Sequence, residues 1–136
     1  MNPTANVRYD GELRTTATHI FSQQQIITDA PPDNNGRGEA FSPTDLLATS
    51  LVACMITVMG ILARKKDIRM GEVSGEVEKI MASDPRRVSA LIVALRFSGH
   101  ELSETEKALL EDAAINCPVA KSIHPNIAVN IKFSYD

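Results

Sequence analysis

Between Leu46 and Ala63 the chain runs 18 residues without a charge, "LLATSLVACMITVMGILA", with Cys54 in the middle. This run is long enough for a membrane span. Thr49, Ser50, Thr57 and Gly60 interrupt it, it is the one such segment, and amphipathic stretches surround it. Those features favour the long central helix of a folded core. The helix has clear ends. Ser42 suits the N-cap, Pro43 the first helical position, and Asp45 falls where a capping box needs its acid. Arg64, Lys65 and Lys66 carry the charge that suits a helix C-terminus. The expected span is 43 to 66, about 35 Å at the helical rise. A helix apolar on every side is buried on every side. A chain of 136 residues struggles to cover such a length alone, so a second copy is expected over its other face.

The flanking segments set the fold class. "VRYDGEL" carries Asp10-Gly11, a two-residue hairpin signal, and "TATHIF" and "QQIIT" continue an antiparallel meander. "DAPPDNNGRGEAFSP", Asp29 to Pro43, is a long loop, read as either functional or a plain crossover. After the central helix comes a hairpin. Val88, Leu91, Val93, Leu95 and Phe97 lie mostly on one face of its second strand, with Asp84-Pro85 near the turn. Ser103 and Glu106 form a capping box ahead of "KALLEDAAIN". Cys117-Pro118 interrupts that helix, and Pro118 fits as the first residue of a short new one, with Cys117 at or beside its N-cap. Ile127, Val129, Ile131, Phe133 and Tyr135 alternate as a half-buried last strand. The expected order is βββ–α–ββ–α–(short α)–β, an α+β fold in a single domain over 1–136.

A formal charge of −3 gives no general basic surface for nucleic acid or anionic lipid. The start, "MNPTANVRYDGELR", lacks the apolar segment of a signal peptide, so a reducing cytoplasm is expected. Two cysteines there are more often free thiols than a structural disulfide. Neither belongs to a CxxC pair, and His19, His100 and His124 show no ligand spacing with them, so no metal site is read. Cys54 by position alone reads as a small buried hydrophobe. Cys117 at a helix N-terminus would feel the positive end of the dipole, which favours thiolate.

"SPTDLLATSLVACM", followed far downstream by "NCPVAKSI" and a last strand, resembles the OsmC/Ohr family of osmotically induced and organic hydroperoxide resistance proteins. The resemblance covers nearly the whole chain. It implies an intertwined homodimer with two sites at the interface. It implies reduction of organic hydroperoxides by a cysteine pair, with a dithiol reductant restoring the thiols and no cofactor bound. In that scheme Cys54 is peroxidatic and Cys117 resolving. A buried thiol is inert unless a cation lowers its pKa, and the family supplies an arginine held by a glutamate. That glutamate lies ten positions before the first cysteine, which here is Thr44. Asp45 is the nearest carboxylate, and one branch of the family keeps its acid there. Asp45 also has the capping role. It lies about 13.5 Å along the helix from Cys54 and half a turn around, so it would serve only the other subunit's thiol. Arg37, in the Gly-flanked loop with Glu39 beside it, is one candidate arginine. Arg14, at the head of the second strand, is the other. Two further readings stay open: a non-enzymatic binding or redox-sensing module for a small hydrophobic ligand, and a structural dimer with inert cysteines.

Overall fold

The computed structural model describes all 136 residues. In order they form β1 (Ala5–Gly11), β2 (Arg14–His19), β3 (Gln25–Asp29), a 3-10 turn (Pro32–Asn34), α1 (Pro43–Lys66), β4 (Glu72–Ala82), β5 (Arg87–Ser98), α2 (Glu104–Ile115), α3 (Pro118–Ser122) and β6 (Ala128–Tyr135). The α+β order expected from the sequence is the order observed. Two compact units divide the chain, Met1–Leu46 and Leu47–Asp136.

The first unit is the meander β1-β2-β3, antiparallel throughout. Its first turn lies two residues beyond the Asp10-Gly11 signal. Gly11 pairs with Arg14 across a bulge that follows Tyr9, and the loop residues are Glu12 and Leu13, both at positive φ. Asp10 is the extra residue of that bulge, and Gly11 beside it, at φ 87°, takes the backbone into the displaced turn without strain. Strand pairing puts Val7, Tyr9, Ala17 and Ile26 on one face and Arg8, Asp10, Thr16 and Asp29 on the other. The apolar face stays open, with Val7 67% and Tyr9 64% exposed. The long loop is stitched to itself. Gly36 N–H donates to the Pro31 carbonyl, Gly38 N–H to the Ala30 carbonyl and Asp29 N–H to the Phe41 carbonyl. A Cβ at Gly36 would meet the Ala30 carbonyl oxygen at 1.8 Å, so only glycine lets the loop close here.

The second unit holds the core. β4 and β5 pair antiparallel, and β6 lies parallel to β5. A parallel neighbour needs a crossover, and residues 99 to 127, with α2 and α3, supply it. β5 faces the core with Leu91, Val93, Leu95 and Phe97, each 1% exposed or less. Val88 breaks the two-residue period, yet it is also buried. Ile80 pairs with Ala90 and Met81 with Val88, so a bulge at Ser89 turns Val88 back to the core face. α1 lays Ala48, Leu51, Val52, Met55, Met59 and Ala63 into the core, spaced three and four apart as one stripe. A Cβ at Gly75 of β4 would meet Val52 Cγ1 at 2.5 Å, so the glycine lets strand and helix approach. The remaining faces of α1 are not covered within one chain: Ser50, Ala53, Thr57 and Ile61 are exposed. α1 is the one helix long and apolar enough to cross a membrane, and its packing is that of a core helix.

Candidate functional site

Cys54 projects from the middle of α1 and is partly buried at the edge of the core. Cys117 follows α2, whose start carries the full reciprocal capping box of Ser103 and Glu106. Helix propagation stops at Asn116 because Pro118 has no N–H to donate. Cys117 becomes the N-cap residue of α3 in an extended conformation, 1% exposed. Cys54 packs against the buried cluster that includes Cys117, near enough to push the Cys117 thiol up, and neither is in a disulfide. Sequence separation alone gave no reason for them to meet. Cys117 lies in the crossover that joins β5 to β6, and that crossover brings it into the buried cluster against which Cys54 packs.

The expectation that a helix N-terminus would favour the Cys117 thiolate does not hold. Burial pushes the Cys117 thiol up, and hydrogen bonding to Cys54 adds to that. The amides of Ala120 and Val119 pull the other way, without a capping hydrogen bond to the sulfur. In a helix of five residues the dipole is small and desolvation wins. Cys117 is therefore a thiol, not a thiolate, at neutral pH.

The charged candidates lie in the first unit. Asp45 makes both arms of the capping box: Ser42 N–H donates to Asp45 Oδ2 at 2.9 Å, and Asp45 N–H donates to Ser42 Oγ at 3.1 Å. Arg14 opens β2 and lies opposite Asp29 of β3. Its Nε donates to Asp29 Oδ1 at 2.7 Å and its Nη2 to Asp29 Oδ2 at 2.8 Å. Glu39, expected beside Arg37, instead accepts from Arg14 Nη2 at 3.4 Å. Its backbone N–H donates to Asp29 Oδ2. The Arg14 hydrogen bonds hold the Asp29 carboxyl below the usual carboxylate range, and Arg37 adds a weaker pull. Asp29 was not a candidate by sequence, where it only opened the loop. The signal was there in the hairpin register: once the meander is aligned, an acid at the end of β3 must face an arginine at the head of β2.

These side chains can do two things chemically. Two adjacent thiols can pass from the dithiol to the disulfide state. A guanidinium gripped by a buried carboxylate is a fixed donor for an anion. No group of three or more His, Cys, Asp or Glu side chains is placed to hold a metal ion.

The OsmC-like protein family model matches residues 36–132. A crystal structure of a protein from Psychrobacter arcticus, named provisionally for osmotic stress induction and detoxification response, is 50% identical. It covers 98% of this chain and 96% of its own, with a TM-score of 0.92. An OsmC-like protein from Mycoplasma pneumoniae is 19% identical over 99% of both chains, with a TM-score of 0.79. An organic hydroperoxide resistance protein from Legionella pneumophila is 23% identical over 97% of both chains, with a TM-score of 0.73. At these lower identities the likeness is one of fold. No curated protein matches the chain by sequence.

Proposed function

The chain belongs to the OsmC-like protein family, and from that premise we propose that it is a thiol-dependent hydroperoxide reductase, acting on organic hydroperoxides as a cytoplasmic homodimer. The observation that carries this reading is the thiol pair: two free thiols in one packed cluster, Cys54 half-buried and Cys117 fully buried and kept protonated by that burial. That asymmetry divides the labour. The Cys54 thiolate attacks the peroxide; an S–O bond forms, the O–O bond breaks, and the alkoxide leaves to take a proton as alcohol. Cys54 is then a sulfenic acid. The Cys117 thiol attacks that sulfur; the S–S bond forms and hydroxide leaves with the Cys117 proton as water. A dithiol reductant returns both thiols by exchange. No cofactor enters this balance. A protonated Cys117 does not compete for the peroxide, which supports its resolving role.

The arginine of the site, in this reading, is Arg14, whose guanidinium is fixed by two hydrogen bonds to a buried carboxylate; Arg37 is the alternative. Asp45 is a weaker candidate for the acid, because the helix cap uses its carboxylate. Support for the homodimer comes from apolar surface left open in one chain: the Ala53–Thr57–Ile61 stripe of α1 and the Val7–Tyr9–Ile26 face of the meander.

The test is intact mass and free-thiol count after one equivalent of cumene hydroperoxide, on the reduced protein and on Cys54→Ser. The expected result is rapid loss of both thiols as an intramolecular disulfide in the wild type and none in the variant. Survival of both thiols for minutes at neutral pH overturns the reading and favours the non-enzymatic binding module.

A further inference from the structure

Tyr135 closes the last strand with its ring packed inward and its hydroxyl turned to a helix. The ring stacks on Phe97, its pairing partner across β5 and β6, with 4.8 Å between centroids. His100 meets it edge-on at 5.6 Å, and Lys107 Nζ of α2 stands 4.6 Å from its centre. From that fixed ring the hydroxyl donates to Glu111 Oε2 of α2 at 2.6 Å. Burial and the Glu111 carboxylate push the phenol above its ordinary range, so it remains a donor at neutral pH. The fully buried Leu110 and Ala114 keep α2 close to the core, but apolar contact is non-directional and sets no register. The Tyr135–Glu111 bond is directional. A slide of one residue, about 1.5 Å along the helix axis, would break it. Glu111 lies six residues before Cys117. The end of the helix between them is tied: Asn116 N–H donates to the Asp112 carbonyl and Cys117 N–H to the Ala114 carbonyl, each at 3.2 Å. A displacement at Glu111 is therefore passed on to Cys117.

We propose that Tyr135 and Glu111 are positioning residues for the resolving thiol: their hydrogen bond sets the register of α2 on the sheet and so aims the Cys117 sulfur at Cys54. This rests on the hydroperoxide-reductase reading. In the resolving step the Cys117 sulfur bonds to the Cys54 sulfur as the S–O bond of the sulfenic acid breaks, and the hydroxide leaves with the Cys117 proton as water. The attack must come from opposite the leaving oxygen, which asks more of the geometry than contact does. The peroxide step belongs to Cys54 on α1 and does not call on α2. Tyr135 and Glu111 act through Cys117, so their bond serves the second step and leaves the first alone.

The experiment mixes reduced protein with one equivalent of cumene hydroperoxide and follows two rates, consumption of the peroxide and formation of the Cys54–Cys117 disulfide. Parallel runs contain dimedone to trap sulfenic acid. It uses the wild type, Tyr135→Phe, Glu111→Leu, the Tyr135→Phe/Glu111→Leu double variant, Glu111→Gln and Ser103→Ala. Tyr135→Phe and Glu111→Leu should each slow disulfide formation about 10- to 100-fold, the effect of a misplaced group, and leave peroxide consumption within about twofold of the wild type. Sulfenic acid should build up in both and be captured by dimedone. The double variant should be no slower than either single one. Glu111→Gln keeps an acceptor for the hydroxyl and should recover part of the rate. Ser103→Ala loosens the other end of α2 without touching this bond and should resolve at the wild-type rate. If Tyr135→Phe forms its disulfide as fast as the wild type, the proposal is overturned and the reductase reading stands. If Ser103→Ala resolves as slowly as Tyr135→Phe, or if Tyr135→Phe slows both steps alike, the bond only stabilises and the positioning role is overturned. If the wild type consumes no peroxide, the reductase reading fails, and diamide takes the place of the peroxide as oxidant. Slower disulfide formation in Tyr135→Phe and Glu111→Leu then keeps the positioning role; wild-type rates, or no disulfide in any protein, overturn it. Should Tyr135→Phe not fold by circular dichroism, Glu111→Leu breaks the same bond from its other end. Slow resolution there supports the proposal, and the wild-type rate overturns it.

Discussion

The two units of the chain are built on opposite plans. Every buried apolar side chain, from Ala48 to Cys117, belongs to Leu47–Asp136. The buried polar side chains, Thr28, Asp29 and Ser42, all belong to Met1–Leu46. The second unit is ordered the usual way, by a helix stripe laid on a sheet face. The first has a three-stranded sheet with neither face filled by its own residues, and such a sheet is marginal alone. What is buried there is a carboxylate with its arginine and the cap of a helix. Apolar burial supplies stability without direction; a satisfied polar cluster supplies direction at little net gain. The first unit orders its buried polar groups, and the second carries the apolar core that holds it folded.

Mutations can break that contrast. The largest effect belongs to the core: Phe97→Ala, at 0% exposure, should cost about 3–5 kcal/mol in urea unfolding. A loss below about 1 kcal/mol, the ordinary scale of a surface change, would mean that the core is not where the burial puts it. The next concerns Asp29. Its folded carboxyl titrates below the usual carboxylate range because of Arg14, so the unfolded chain takes up the proton first. The stabilisation is complete above the usual range and is lost as pH falls through the folded value. Unfolding of Asp29→Asn, followed against pH, should be weaker than wild type at neutral pH and show a flatter acid branch. Parallel acid branches would sink the idea that this pair is what the first unit buries its charge for. The smallest effect compares like with like. Ser42 with Asp45 and Ser103 with Glu106 are the same capping box, one buried and one exposed. Ser103→Ala should cost about 0.5–1 kcal/mol and Ser42→Ala up to about 2, near the two ends of the capping range. Equal costs would say that burial adds nothing to a cap.

The second unit was the more legible in sequence, and the reason is physical. Periodicity, caps and Pro-terminated helices are local signals, and α1, both capping boxes and the N-cap place of Cys117 were read from them directly. Val88 was readable only as an approximate member of its strand face, because a single inserted residue restores its direction. The first unit's ordering contacts are few and cross-strand. The sequence offers Arg14 as a candidate and gives no cue for Asp29, since an acid before a Pro-rich loop looks like turn chemistry until the register is known. Glu39 differs from expectation for the same cause: its sequence neighbour is Arg37, while the closed loop brings it to Arg14.

The parallel pairing of β6 with β5 has a consequence for competition among thiols. Cys117 sits inside a segment pinned at both ends by paired strands. It therefore meets Cys54 at an effective concentration set by architecture and not by diffusion. Intramolecular partners held in place reach effective molarities far above the millimolar range of free cellular thiols. A sulfenic acid at Cys54 would be captured from within before a soluble thiol found it, and cutting the chain between α3 and β6 would hand that advantage back to the solvent.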